Sequence, residues 1–156
     1  VANLPYQIAT PLVTNLLLDA PAVSRMCFTV QAEVGDRILA SPGTRDYGPV
    51  SVLMQRCCSM SVIARVPATA FWPAPQVESV MLRADVREPP LFDRTSLKEF
   101  SRFVRGAFEH RRKTLKSSLR YVVSAEEVAR LAERFDLGRR AESLSVEEWV
   151  QLFTNR

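Results

Sequence analysis

Histidine occurs once in these 156 residues, as His110, and cysteine three times, as Cys27, Cys57 and Cys58. A single imidazole excludes multi-histidine metal centres and leaves little room for histidine-dependent triads. An odd cysteine count with no CxxC pair excludes a disulfide framework and a cysteine zinc site. All three lie in apolar stretches and read as buried thiols of a reducing, cytoplasmic compartment. Glycine is scarce, at five residues, and no GxGxG run occurs. No apolar run approaches the roughly 18 residues that a membrane span needs, so no membrane partner is expected. No basic stretch followed by an apolar core opens the chain, so no signal peptide is visible. The opening Val1-Ala2-Asn3-Leu4-Pro5-Tyr6 has no initiator methionine and reads as the tail of a strand. We therefore expect a piece of a longer protein.

What is present is ordinary globular material, 47% hydrophobic and 24% charged. That supplies one core and a small second one. The net charge of +4 is unevenly spread. Residues 1–92 carry 7 basic and 7 acidic side chains, residues 93–120 carry 9 and 3, and residues 124–156 carry 5 and 7. The positive excess is concentrated in one short segment. Such a field draws polyanions, nucleic acid first among them, although charge runs are more often solvated helix faces.

Hydrophobic periodicity divides the chain. Thr10 to Leu18 predicts a helix with Thr10 as its N-cap, Pro11 at its first position and Pro21 as its stop. Met26–Val30, Ser59–Val66 and Val77–Val86 predict strands. Gln31–Ala40 and Val50–Arg56 predict helices, separated by a turn-rich loop at 41–49. Ala68–Gln76 contains FWPAP, which two prolines should keep extended. The order helix, strand, helix, helix, strand, strand suits the second half of a doubly wound α/β sheet ending in an antiparallel hairpin. Half a sheet leaves a bare edge, so either a missing half covers it or the piece self-associates there. Glu88-Pro89-Pro90 marks a boundary, giving units at 1–87 and 88–156. Beyond it everything is helical. Leu97, Phe100, Val104 and Phe108 share one stripe, and Leu115, Leu119 and Val122 another. Ser124-Ala-Glu-Glu and Ser145-Val-Glu-Glu open two capped helices.

Three constellations carry chemistry. The first is Asn3-Leu4-Pro5-Tyr6. The amino group of adenine is a poor nucleophile because its lone pair is delocalised into the ring. Two acceptors holding its N–H groups turn that lone pair toward an electrophile. The Asn3 side chain and the Leu4 carbonyl can supply them if Pro5 stiffens the turn. Tyr6 offers a π-face to a flipped-out base. The bland alternative is ordinary turn chemistry at a strand end. The second is Phe71-Trp72-Pro73-Ala74-Pro75-Gln76-Val77-Glu78-Ser79, in which either Phe71 or Trp72 could be the exposed half of a base clamp. The third is Arg102, Arg105, Arg111, Arg112, Lys113, Lys116 and Arg120. At helical spacing, 113, 116 and 120 share a face, as do 105, 109 and 112. A cationic stripe opposite an apolar one can dock on its own domain and still meet phosphates.

Together these residues resemble the rRNA adenine N6-dimethyltransferases of the KsgA type. The carriers are NLPY, Gln31–Arg37 with Pro42–Gly48 and Ser51-Val52, Phe71-x-Pro73-x-Pro75-x-Val77-x-Ser79, and Phe108-x-x-Arg111-Arg112-Lys113-Thr114-Leu115. The resemblance implies a Rossmann-like methyltransferase half-domain at 1–87 and a helical RNA-binding domain at 88–156. It implies S-adenosylmethionine as donor and N6 of two adjacent adenosines near the 3′ end of small-subunit rRNA as acceptor, in the assembling subunit. By it, Asn3 and Leu4 hold the amino group, with Pro5 stiffening the turn. Tyr6 and Phe71 close on the base, and Asn3 also touches the methionine end of the cofactor. The family's glycine-rich cofactor loop lies upstream of NLPY and has no counterpart here, so residues 1–156 alone should not methylate. Two other outcomes stay open: a non-catalytic RNA-binding module, and an enzyme of the related large-subunit rRNA branch.

Overall fold

The structure, a computed structural model, describes residues 1–5, 8–20, 22–87 and 92–156. Tyr6, the stop at Pro21 and the boundary at 88–90 lie outside them. The first unit runs β1 (Ala2–Asn3), α1 (Ala9–Asp19), β2 (Arg25–Gln31), α2 (Ala32–Leu39), α3 (Pro49–Cys57), β3 (Cys58–Val66) and β4 (Ser79–Val86). The sheet order is β1-β2-β4-β3. β1 runs parallel to β2, and β4 is antiparallel to both β2 and β3. The predicted element order and closing hairpin are therefore both present.

Period-two alternation makes this sheet one-sided. Met26, Phe28 and Val30 of β2 meet Val80, Leu82 and Ala84 of β4 on the buried face. The other face carries Arg25, Cys27, Arg83 and Asp85, with the Asp85 carboxylate between the two guanidiniums. These hydrogen bonds, Arg83's first, hold Asp85 below the usual carboxylate range. Cys27 is thus only half-buried, as is Cys57, and Cys58 alone of the three is buried. The expectation of three buried thiols holds for one. The two strand faces differ too strongly for an apolar neighbourhood in sequence to mean burial. β3 is an edge strand with a bulge between Val62 and Ala64, and both Val62 and Ile63 are exposed. Gly35 lets α2 approach the sheet: a Cβ there would lie 2.2 Å from the Val80 Cγ1.

The second unit is all helical: α4 (Arg94–Glu109), α5 (Leu115–Ser118), α6 (Ala125–Arg134) and α7 (Val146–Thr154), with 3₁₀ turns at 119–121 and 141–143. Asp93 caps α4 through the Ser96 N–H, 2.7 Å. Ser124 with Glu127 and Ser145 with Glu148 form the two capping boxes that the sequence announces. Phe100, Phe103, Phe108, Trp149 and Phe153 fill the core in edge-on and tilted pairs.

α3 joins the units. Its Val52 and Leu53 enter the helical core, while Met54 enters the sheet core. Tyr47, from the loop before it, is fully buried against Phe108. Ser51 ties the same corner, accepting from the Gly48 N–H and donating to the Arg37 carbonyl. Gln55 donates to the Ile38 and Ala40 carbonyls. The bond from Lys98 on α4 to Asp19 on α1, 2.7 Å, adds a second crossing.

A 3₁₀ turn occupies 68–70, ahead of the FWPAP stretch, closed by Ala70 donating to the Pro67 carbonyl. One local expectation fails: residues 105, 109 and 112, and residues 113, 116 and 120, do not each share a helix face, because 112 and 113 lie outside the helices. α4 ends at Glu109, and the chain turns through 110–114 with Lys113 donating to the His110 carbonyl. The cause is tertiary. Leu115 and Lys116 donate to the carbonyls of Arg139 and Leu137, and Thr114 bridges to Arg140. Those bonds divert the backbone that helical spacing alone would have kept in register.

Candidate functional site

Asn3 and Leu4 stand at the end of a parallel strand beside β2. Asn3 is registered against Thr29, and Leu4 donates its N–H to the Thr29 carbonyl at 3.3 Å. The Leu4 side chain is buried in the sheet core and anchors the turn. Pro5 follows, and its carbonyl accepts from the Ile8 N–H just before α1. Among the described residues no donor reaches the Leu4 carbonyl, and the exposed Asn3 side chain has no hydrogen-bond partner. Two acceptors are therefore open on adjoining residues, at the end of an anchored strand.

The aromatic loop faces them. A cleft of about 340 Å³ is lined by Asn3, Leu4 and Pro5 on one side and Phe71, Trp72, Pro73 and Pro75 on the other. The structure resolves which aromatic of the pair is packed: Phe71 is half-buried and Trp72 is 98% exposed. No charged side chain lines this cleft. It suits an uncharged planar group that offers N–H donors, which is the description of an adenine edge.

The cationic residues divide into two sets. Arg111 faces inward. Its Nε donates to the Glu142 carboxylate at 2.6 Å, and its Nη2 donates to the carbonyls of Arg45 at 2.6 Å and Thr44 at 3.3 Å. It is a strap between the helical unit and the 41–49 loop. Arg102, Arg105, Arg112, Lys116 and Arg120 are exposed, with no ion pair among the described residues. Arg112, Lys113 and Arg120 gather with Thr114, Ser117 and Tyr121 around a second cleft of about 550 Å³. Three cations and no acid line it, as an anion site requires.

Tyr121 is a residue that spacing arguments miss. It is 62% exposed, accepts from the Lys113 Nζ at 3.0 Å, and lies 4.1 Å from the His110 ring, centroid to centroid. An aromatic interleaved among basic residues was the available signal. Among the described residues no cluster of three or more metal-ligating side chains occurs, and no helix is long and apolar enough to cross a membrane.

A family model described as ribosomal RNA adenine dimethylase matches residues 1–155. The chain belongs to this family. Curated relatives called ribosomal RNA small subunit methyltransferase A include one from Anaeromyxobacter dehalogenans, 42% identical over 156 residues. Another from Alcanivorax borkumensis is 40% identical over 152 residues. The alignments cover 97% of this chain in both cases, and 55% and 54% of those proteins. The chain thus spans about half the length of the curated relatives it matches. Among solved structures, a dimethyladenosine transferase from Plasmodium falciparum superposes with a TM-score of 0.84 at 22% identity, covering 97% of this chain and 64% of that one. The 23S rRNA methyltransferase ErmE superposes at 0.66, also at 22%, covering 98% and 62%. These likenesses establish the fold: an α/β methyltransferase sheet, here its second half, followed by a small all-α unit.

The adenine dimethylase family is one of methyltransferases, so the residues present must be tested against a methyl donor such as S-adenosylmethionine. Of the glycines whose small size is used, Gly35 admits Val80 and Gly106 admits Val122, both inside packing contacts. Gly43 turns the 41–49 loop with φ +82°. None of them opens a cradle beside Asn3. The residues of this chain do not by themselves fit a complete donor pocket, and Asn3 is the one candidate contact among those described.

Proposed function

We propose that the protein containing this chain is an S-adenosylmethionine-dependent rRNA adenine N6-dimethyltransferase. Its substrate is a pair of adjacent adenosines near the 3′ end of small-subunit rRNA, met in the assembling ribosomal subunit. The observation that carries the reading is the pair of open acceptors at Asn3 and Leu4 facing an aromatic loop across an uncharged cleft. The names of the relatives at about 40% identity support the small-subunit assignment.

Each residue of this chain has a definable share. The Asn3 Oδ1 and the Leu4 carbonyl accept the two N6–H bonds, which directs the nitrogen lone pair out of the ring plane. Leu4 and Pro5 keep that pair in place, so the alignment is set before substrate arrives. Phe71 closes one face of the base, and Tyr6 is assigned the other by its place in the motif. The proton leaves the methylated amine for water, so no basic side chain is needed. Arg102, Arg105, Arg112, Lys113, Lys116 and Arg120 track the sugar-phosphate chain. The methyl donor would be held mainly by residues outside this chain, so residues 1–156 alone are expected to bind RNA without methylating it.

The test is methyl transfer from labelled S-adenosylmethionine by the full-length protein, with undermethylated small subunits and large-subunit rRNA offered separately. Label in dimethyladenosine of the small-subunit rRNA supports the proposal. Label confined to large-subunit rRNA moves the chain to the related branch. RNA binding without transfer to either leaves a pure binding module.

A further inference from the structure

Trp72 is the side chain that the proposed reaction leaves unused. It is one of two tryptophans, and the contrast between them is sharp. Trp149 is fully buried against Phe103 and Phe108, whereas Trp72 is 98% exposed. Among the described residues it has no ring, cation–π or hydrogen-bond partner. It does not stand alone: it adjoins a cleft lined by Phe71, Pro73 and Pro75, to which it adds a free π-face.

Its setting narrows what that face receives. Trp72 stands on the rim of the cleft formed with Asn3, Leu4 and Phe71. Phe71 is half-buried, whereas Trp72 is 98% exposed at the rim of the same cleft. A base closed on by Phe71 therefore leaves the indole free for a second base. Pro73 and Pro75 stiffen the loop, so the indole is presented with little ordering cost on binding. The cleft has no charged lining, so a phosphate is not what it attracts. A base is, because every nucleobase offers a π-face to an aromatic ring.

We propose that Trp72 is a stacking platform for the nucleotide adjoining the one held at the Asn3–Leu4 turn. The inference rests on the RNA reading given above and adds to it a positioning residue. The target base can enter the cleft only when its neighbour is splayed from the RNA stack, and the indole receives that neighbour. Recognition at this point is indifferent to base identity and sensitive to whether a base is there at all.

Trp149 is buried, and the part of the emission change on binding that disappears in Trp72→Leu is the part that reports Trp72. The probe is a short single-stranded RNA with one adenosine flanked by uridines, alongside the same RNA with an abasic site next to the adenosine. Both are titrated into the full-length protein and its Trp72→Leu and Trp72→Tyr variants, with binding also followed by anisotropy of labelled RNA. Stacking quenches the wild-type emission. Trp72→Leu weakens binding by roughly 5- to 150-fold, the usual span for one stacked base, and Trp72→Tyr recovers most of the loss. With the abasic RNA the wild type and Trp72→Leu bind alike.

Equal affinity of wild type and Trp72→Leu for the intact RNA overturns the inference, while leaving the enzyme reading untouched if methyl transfer still depends on Asn3. So does emission already shielded from iodide in the free full-length protein, since a protein segment then covers the ring. Loss of sensitivity to both the adenosine and Asn3 overturns the base-holding reading itself, and this inference with it.

Discussion

Arg111 and Arg112 are adjacent, identical in type and equally plausible as phosphate ligands, yet the structure gives them opposite duties. Replacing Arg111 by Ala removes the bond to Glu142 and those to the Thr44 and Arg45 carbonyls. Hydrogen bonds to a charged group contribute about 1.5–3 kcal/mol each when buried. Here the Arg111 and Glu142 side chains are 40% and 30% exposed, so solvent screening brings the ion pair down to about 1 kcal/mol or less. With the carbonyl bonds the expected loss is about 2 kcal/mol. For a chain of this size that lowers Tm by roughly 4–8 °C. Arg112→Ala should change stability by no more than about 0.5 kcal/mol, as for a surface site without partners. RNA binding reverses the order. Arg112→Ala should reduce the slope of log Kd against log salt concentration by about one phosphate contact. Arg111→Ala, assayed well below its Tm, should leave that slope unchanged. Urea or thermal denaturation and a salt series of RNA titrations measure both. An Arg111→Ala protein of wild-type stability with a reduced salt slope would refute the reasoning.

Three further outcomes follow from packing and titration. Gly35→Ala places a Cβ 2.2 Å from the Val80 Cγ1, inside the sheet core, and should cost about 1–3 kcal/mol in urea unfolding. Glu148 is held below its ordinary pKa of 4.5, first by its hydrogen bond from Arg139 and then by the Ser145 N–H, with desolvation opposing. A lowered folded pKa contributes stability that is complete above the unfolded value and lost as pH falls through the folded one. Glu148→Gln should therefore narrow the stability gap to wild type as pH drops below about 4.5, which Tm measured across pH will show. Burial pushes the Cys57 thiol up to about 11 and the Cys58 thiol up to about 12, with the neighbouring Cys57 adding to the latter. Neither should react with maleimide at neutral pH in the native state, and both should label in urea; rapid native labelling at 57 or 58 would contradict this packing.

Much of the fold was legible because its signals are local. The serine–glutamate spacing at 124/127 and 145/148 announces two capping boxes, and both form. The alternation at 77–86 announces a strand, and β4 forms there over Ser79–Val86. What was not legible depends on distant partners. Helical spacing puts 105, 109 and 112 on one face, yet Leu115 and Lys116 bond to the carbonyls of Arg139 and Leu137, and the chain turns through 110–114. Arg111 is removed from the cationic surface by groups 31, 66 and 67 residues away in sequence. Phe71 and Trp72 are indistinguishable as motif neighbours, and only packing shows which one stays in water. The division of the chain near 88 misses how α3 and Tyr47 serve the helical core from the other side.

The central claim is that the Asn3–Leu4 turn holds the adenine amine, and one comparison tests it most directly. Full-length wild type and Asn3→Ala are incubated with undermethylated small subunits and S-adenosylmethionine, and the N6-dimethyladenosine formed is counted by mass spectrometry beside a measured Kd for the RNA. Loss of one preorganised acceptor should slow methylation on the order of 100-fold or more while Kd changes little. Methylation by Asn3→Ala at the wild-type rate would contradict the account.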